Sequence, residues 1–229
     1  MLDALVLGLV GLNVYAVLLV VARAVVFRTR LYRPMLLNVG LSLAPGALML
    51  LMGLFVLLAP PLWLAVPVLV LLGLAWLLLL PNAGYLVTEL NMSHRQPDDP
   101  VPMWFDVLLL ITLATSGVVN TVASLFVAHM LFGVVRHGDL AVSMLEPDAV
   151  AFVVVILLLV AFGVFIGRHV RVNSWDVLRP WRLVRTVVRG LADTVGSAVA
   201  FTLMYATFLG LMYVVVAGSV IRAAIELGF

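Results

Sequence analysis

The sequence predicts an all-α fold, a polytopic transmembrane helical bundle with about six spans and a short amphipathic interfacial helix. One observation is composition: 65% of the residues are hydrophobic and 10% are charged, whereas soluble domains are about half apolar and about a quarter charged. The other is the length of the apolar runs, which exceeds the roughly ten alternating residues of a membrane-barrel strand. Because the bilayer core offers no water to backbone groups, such runs cross the membrane as helices.

Six apolar segments supply the predicted spans of a single transmembrane domain, residues 1–229. They are residues 5–27, 35–58, 62–80, 104–135, 149–166 and 191–220. The first lacks the basic segment that begins a signal peptide, so we expect it to remain in the mature protein. The third measures about 28 Å at 1.5 Å per residue, enough to cross the hydrocarbon alone. The fourth is longer than a bilayer requires, which predicts a tilt, an interfacial start or a bend near Gly117, as one helix or two.

A basic segment between the last two spans predicts the interfacial helix, near residues 177–189. One arc of its helical wheel is basic and the opposite arc is apolar, with Pro180 expected in the first turn. We expect the basic arc to contact anionic lipid headgroups, each arginine contributing on the order of 1 kcal/mol. Its members are Arg179, Arg182, Arg185 and Arg189. No nucleic-acid partner is predicted.

The distribution of arginines along the chain predicts the orientation of the protein in the membrane. The segments 23–33 and 168–189 flank spans on the same side of a six-span arrangement. Since basic residues are enriched in cytoplasmic loops, this side is predicted to be cytoplasmic and both termini to lie outside. The chain contains no cysteine, which excludes disulfides, thiolate metal ligands and a cysteine nucleophile.

Polar residues follow the third span, where its apolar run ends. If the helix continues through Pro81, then Asn82, Tyr85 and Glu89 fall at i, i+3 and i+7, on one stripe that can face inward. A purely lipid-facing helix has no need of such a stripe. The sequence therefore indicates a polar site at this edge of the membrane.

The fourth span carries a second polar face. Its members on the helical wheel are Asp106, Gly117, Asn120 and Ser124, with Thr121 beside them. Two interpretations stay open: these groups line a polar path, or they bond to neighbouring helices, with Asn13 and Asn38 as partners. His129 lies off this face and His137 falls in the following loop, and we expect such histidines near a helix end to be solvated.

Three carboxylates are predicted at similar depth, and with His94 they can supply oxygen-rich ligation to a divalent cation. They are Glu89, Asp106 and Asp176. The alternative is that each lies in headgroup water or pairs with Arg168 or Arg171. No HExxH or comparable ligand spacing is present. Asn173 and Trp175 lie close to Asp176 in the sequence. They either contribute to a ligand site or shape a helix cap with an interfacial tryptophan anchor.

Several short motifs together resemble a bacterial integral-membrane family described as domain-of-unknown-function family 1361. They are Asn82-Ala83 with Tyr85, Thr88 and Leu90, then Trp104 with Asp106, then Gly167-Arg168, then Asn173-Ser174-Trp175-Asp176. Gly84 and Glu89 stand where the family has proline and aspartate. The resemblance covers most of the chain and implies a multi-pass protein of the bacterial inner membrane. It nominates residues without implying a reaction.

The sequence thus favours a cytoplasmic-side pocket that binds or transports a polar or cationic solute or a lipid headgroup. The pocket residues are Asn82, Tyr85, Glu89, Asp106, Asn173 and Asp176, with Trp104, Asn120, Arg168 and Trp175 as further ligand-binding candidates. The alternative is a membrane-embedded enzyme acting on a lipid or lipid-linked substrate, with Asp106 or Glu89 as acid/base. A second alternative is a structural or assembly partner. Neither a GxSxG elbow nor a Gly-rich phosphate loop occurs.

Overall fold

The computed structural model describes residues 2–29, 33–58, 60–87, 100–138, 142–170, 180–192 and 194–226. Within these ranges the chain forms α-helices and no strands. The helices are α1 (Leu2–Val26), α2 (Arg33–Leu57), α3 (Leu62–Tyr85), α4 (Met103–His137), α5 (Pro147–Phe165), α6 (Pro180–Ala192) and α7 (Val195–Glu226). All except α6 are long and apolar enough to cross a membrane. The predicted all-α bundle is confirmed.

Several helix boundaries differ from the predicted ones. The predicted end of the third span at residue 80 is wrong, because α3 continues through Pro81 to Tyr85. The fourth span is one helix of 35 residues, so no break occurs at Gly117. Leu191 belongs to α6, and the last span begins at Val195. Pro180 is the first residue of α6, as expected for a residue that lacks a backbone N–H donor.

Helix α4 is the centre of the bundle and packs against α1, α2, α3, α5 and α7. Two clusters of buried side chains surround it. The first cluster joins α1 and α2 to the first half of α4 and includes Val20, Met35 and Phe105. The second joins α3, α5 and α7 to the second half of α4 and includes Trp76 and Val160. Large apolar side chains elsewhere face outward, which suits a hydrocarbon environment and not water.

The antiparallel helices give the bundle two ends. We call the end that carries Arg23 and Arg168 the basic side; α1, α3 and α5 end there, and α2, α4 and α7 begin there. The opposite end, called the far side, carries His137 and Asp148, whose side chains lie 3.0 Å apart.

Two glycines let helices approach the end of α3 closely. A Cβ on Gly117 of α4 would lie 2.5 Å from the carbonyl oxygen of Ala83 and 2.7 Å from Cβ of Leu86. A Cβ on Gly163 of α5 would lie 2.6 Å from Cγ of Pro81. Small residues at such contacts are a common means of close helix packing in membranes. The space at Gly163 accommodates the proline ring, and α3 continues past it.

We predict that Gly117→Ala destabilises the protein by about 1–3 kcal/mol, the usual cost of overpacking a core. The added methyl group meets backbone, which cannot rotate away as a side chain can. The measurement is the midpoint of thermal unfolding in detergent micelles. Gly210→Ala is the matched control, because its Cβ would meet Leu157 at an ordinary 3.6 Å. Equal midpoints for the two variants would contradict the close approach.

Candidate functional site on the basic side

The last residues of α3 and its continuation, residues 81–86, form what we call the α3 terminal segment. The hydroxyl of Tyr205 on α7 donates a hydrogen bond of 2.8 Å to the carbonyl oxygen of Gly84. Ala83 and Leu86 are fully buried. This segment is therefore fixed by three helices: α4 through Gly117, α5 through Gly163 and α7 through Tyr205.

The predicted inward stripe lies beside the most buried face of this segment, not on it. Leu80, Ala83 and Gly84 are buried, whereas Asn82 and Tyr85 are half-buried. Both Asn82 and Tyr85 interact with other parts of the protein. The condition on which the stripe depends is met, since α3 continues through Pro81 to Tyr85, but Glu89 lies outside the described residues. No local pattern predicts the hydrogen bond between Tyr205 and Gly84, since these residues lie 121 positions apart.

A largely buried ion pair joins α1 to α4 on the basic side. Nε of Arg23 lies 2.9 Å from Oδ1 of Asp106, and their side chains are 17% and 8% exposed. Nη1 of Arg23 also donates to the hydroxyl of Thr29 at 3.4 Å. Asp106 lies in the first turn of α4, where the helix dipole further favours a negative charge. The partner of this carboxylate is therefore Arg23, and not Arg168 or Arg171 as the sequence suggests.

The ion pair and the α3 terminal segment both lie on the basic side. Leu86 belongs to the same buried cluster as Val20 of α1 and Phe105 of α4, which are close in sequence to Arg23 and Asp106. The ring of Phe105 also meets that of Phe27 at 5.0 Å. Trp104, a predicted ligand-binding candidate, is 65% exposed on the outer surface of α4, a position typical of an interfacial tryptophan.

Asn120 takes part in a closed hydrogen-bond network between three helices. Its Nδ2 donates to Oδ1 of Asn13 and to Oγ of Ser42, each at 2.9 Å. Asn13 returns a bond of 2.9 Å to Oδ1 of Asn120. Asn13 is thus the partner that the sequence suggested, and Ser42 is one that it did not. Since both donor hydrogens of Asn120 are used within the bundle, the structure supports helix association here and not a polar path.

Two further polar contacts hold helices to the second half of α4. Nε1 of Trp76 donates to Oγ of Ser124 at 2.8 Å, and Nδ1 of His129 lies 2.7 Å from the hydroxyl of Tyr213. The expectation that His129 is solvated is wrong: it is 3% exposed, because α4 continues two turns beyond it. His137, which was expected to lie in the following loop, is the last residue of α4.

Arg168 lies on a π-helical turn, Ile166–Val170, that extends α5 on the basic side. Its side chain is half-buried, and no carboxylate in the described ranges lies within ion-pair distance of it. The neighbouring His169 stacks on Phe165 at 4.2 Å between ring centres. π-Helical turns are often found at functional sites, so Arg168 stays a candidate.

Several predicted site residues lie outside the described residues. They are Glu89, His94, Asn173, Trp175 and Asp176. Among the residues that are described, no group of three or more histidine, aspartate or glutamate side chains can hold a metal ion. The divalent-cation site depends on three of the residues outside these ranges together with Asp106, and it stays a prediction.

Six apolar helices joined by buried polar contacts define a multi-pass helical membrane protein. Residues 37–213 match the model of the family described as "Protein of unknown function (DUF1361)". Because this match covers most of the chain, the protein belongs to that family, and the resemblance drawn from its motifs is confirmed. No curated protein and no solved structure shows significant similarity to the chain.

We predict that Asp106→Asn lowers stability more than the double change Arg23→Gln with Asp106→Asn. Loss of one partner leaves a buried charge uncompensated, at a cost of about 3–5 kcal/mol when burial is complete, whereas the double variant removes both charges. The measurement is the unfolding midpoint in detergent micelles. Asp148→Asn, which removes a carboxylate that is 44% exposed on the far side, should change the midpoint little. A double variant no more stable than Asp106→Asn would contradict the pairing.

Proposed function

We propose that this protein binds a polar or cationic solute, or a lipid headgroup, at a site on the basic side formed by the Arg23–Asp106 pair and the α3 terminal segment. The observation that supports it is the burial of this ion pair at the membrane edge. Ionisable groups within a membrane protein are costly and commonly serve a function. Transport of the bound solute across the bundle is part of the same proposal.

The chemistry of the pair narrows the ligand. Asp106 offers an anionic acceptor and Arg23 a planar cationic donor, 2.9 Å apart. A ligand that enters between them must replace the partner of each charge, since a lone buried charge is unfavourable. A zwitterionic group, with an ammonium for Asp106 and a phosphate or carboxylate for Arg23, meets both needs. A lone cation would pair with Asp106 but would leave Arg23 without a partner.

The neighbouring segment supplies a rigid wall for such a site. Binding groups are effective when the surrounding packing holds them in position before the ligand arrives. The α3 terminal segment is held by Tyr205 and by close contact with Gly117, and it carries the half-buried Asn82 and Tyr85. These amide and phenol groups are suited to hydrogen bonds with a polar ligand.

The arrangement in the membrane is part of the proposal. We place the protein in a bacterial inner membrane, with the basic side in the cytoplasm and both termini outside, in accord with the positive-inside rule. Helix α6 then lies in the cytoplasmic headgroup layer. Its exposed Trp181, Arg185 and Arg189 suit that layer, where arginines attract anionic lipids.

An enzyme acting on a lipid or lipid-linked substrate is the alternative. It requires Asp106 or Glu89 to transfer a proton, and Oδ1 of Asp106 is already bonded to a guanidinium group, an arrangement better suited to orienting a charged ligand. An assembly role is the second alternative. It predicts a protein that co-purifies with the chain in mild detergent.

We predict saturable binding of zwitterionic solutes or headgroups to the purified protein in nanodiscs, measured by native mass spectrometry. Asp106→Asn and the double variant with Arg23→Gln should weaken that binding at least about tenfold, the ratio that corresponds to 1.4 kcal/mol. Asp148→Asn should leave it unchanged. Uptake into vesicles then separates transport from binding.

Two results would overturn the proposal. One is equal affinity in the parent and in a folded Arg23→Gln, Asp106→Asn variant, which would place the ligand elsewhere. The other is the lack of saturable binding for every zwitterionic and cationic probe. Turnover of a labelled lipid that disappears with Asp106→Asn would favour the enzyme alternative.

A further inference from the structure

A groove on the outer surface of the bundle lies on the basic side, away from the Arg23–Asp106 pair. It has a volume of about 240 Å³ and is lined by Phe162 of α5, Leu191 of α6, and Ala198, Val199 and Thr202 of α7. Its walls are almost wholly apolar, so water gains nothing by filling it. In a bilayer, such a groove at the lipid boundary suits a hydrocarbon chain.

The groove begins at α6, which carries Arg185 and Arg189, and near the end of α5, which leads to Arg168. Leu191 lies two residues after Arg189, in the last turn of α6. Phe162 lies six residues before Arg168, and α6 packs directly against the π-helical turn that carries Arg168. Arg168, Arg185 and Arg189 have no carboxylate partner among the residues that the structure describes. Arginines at the level of the headgroups attract anionic lipids.

The length of the groove suits one acyl chain. Along α7 it extends from Val195 to Leu203, about 12 Å at 1.5 Å per residue. Half of a hydrocarbon core is about 15 Å thick. A chain that descends from the headgroup layer beside α6 can therefore occupy the groove over most of its length.

From the groove and these charges we infer that this is a binding site for one anionic phospholipid. Its phosphate is bound by Arg168, Arg185 and Arg189, and one acyl chain occupies the groove between α5 and α7. The inference rests on the proposed placement of α6 in the headgroup layer, and it adds a defined site to that placement. Charge complementarity selects the headgroup, and the apolar walls select the chain.

The test uses protein reconstituted in phosphatidylcholine bilayers that contain traces of spin-labelled phosphatidylglycerol or spin-labelled phosphatidylcholine. Electron paramagnetic resonance gives the motionally restricted fraction of each lipid. We expect the parent protein to restrict at least twofold more phosphatidylglycerol than phosphatidylcholine. Changing Arg168, Arg185 and Arg189 to glutamine should remove this preference. Arg222→Gln, the same type of substitution at a single site on α7 at the far side, should preserve it.

The groove itself is tested by filling it. Val199 lines the groove and is 54% exposed, so Val199→Trp blocks the groove without disturbing the core. It should reduce restricted phosphatidylglycerol at least twofold. Val214→Trp, at a site that is 66% exposed outside the groove, should have no effect. Equal restriction of both lipids by the parent, or an unchanged preference in Val199→Trp, would overturn the inference.

A separate label distinguishes failure of the groove from failure of the α6 placement. The chain has no cysteine, so a spin label on Val188→Cys is unique. Its relative exposure to oxygen and to a water-soluble nickel complex measures the depth of α6. If the label lies at the depth of the headgroups and the groove variants have no effect, the lipid site alone is refuted. If the label lies in bulk water, the placement of α6 is refuted as well.

Discussion

The structure depends most on how the end of α3 is held. Leu80 is fully buried in the cluster around α5 and α7, and Leu86 is fully buried in the cluster around α1 and α2. The six residues that follow Leu80 therefore connect the two cores of the bundle. A glycine on α4, a glycine on α5 and the hydroxyl of Tyr205 each contact this segment. A change in its path would disturb both cores.

Helix α4 is the element to which the others attach. Lipid chains are as apolar as leucine, so burial in a membrane gives little net drive for helices to associate, and polar contacts and close packing matter more. Four of its five neighbours contribute a polar contact of this kind: Asn13 and Arg23 from α1, Ser42 from α2, Trp76 from α3 and Tyr213 from α7. Asp106, Asn120 and Ser124 thereby find partners on helices far away in sequence, whereas Thr112, Ser116 and Thr121 donate to carbonyl oxygens of α4 itself.

The sequence predicted the helices well and their partners poorly, for physical reasons. Long apolar runs determine that a segment spans the bilayer, so the six spans could be predicted from the sequence. The opposed basic and apolar arcs predicted the amphipathic helix. Pro81 marks a helix end by local rules, but α3 continues through it, and Gly163 on α5 leaves space for the proline ring. The Asn13–Asn120 contact could be predicted because buried amides need hydrogen-bond partners. Arg23 with Asp106, and His129 with Tyr213, depend on helix rotation and depth, which no local pattern encodes.

The candidate site depends on the α3 terminal segment being a fixed wall and not a frayed helix end. Hydrogen exchange of this segment in nanodiscs, followed by mass spectrometry, tests that claim most directly. The account predicts exchange in a peptide covering residues 80–87 as slow as in the middle of α4, because these amides lie among buried, tightly packed groups. Exchange as fast as that of an open helix terminus would show that the contacts with Gly117, Gly163 and Tyr205 do not hold the segment, and would contradict the account.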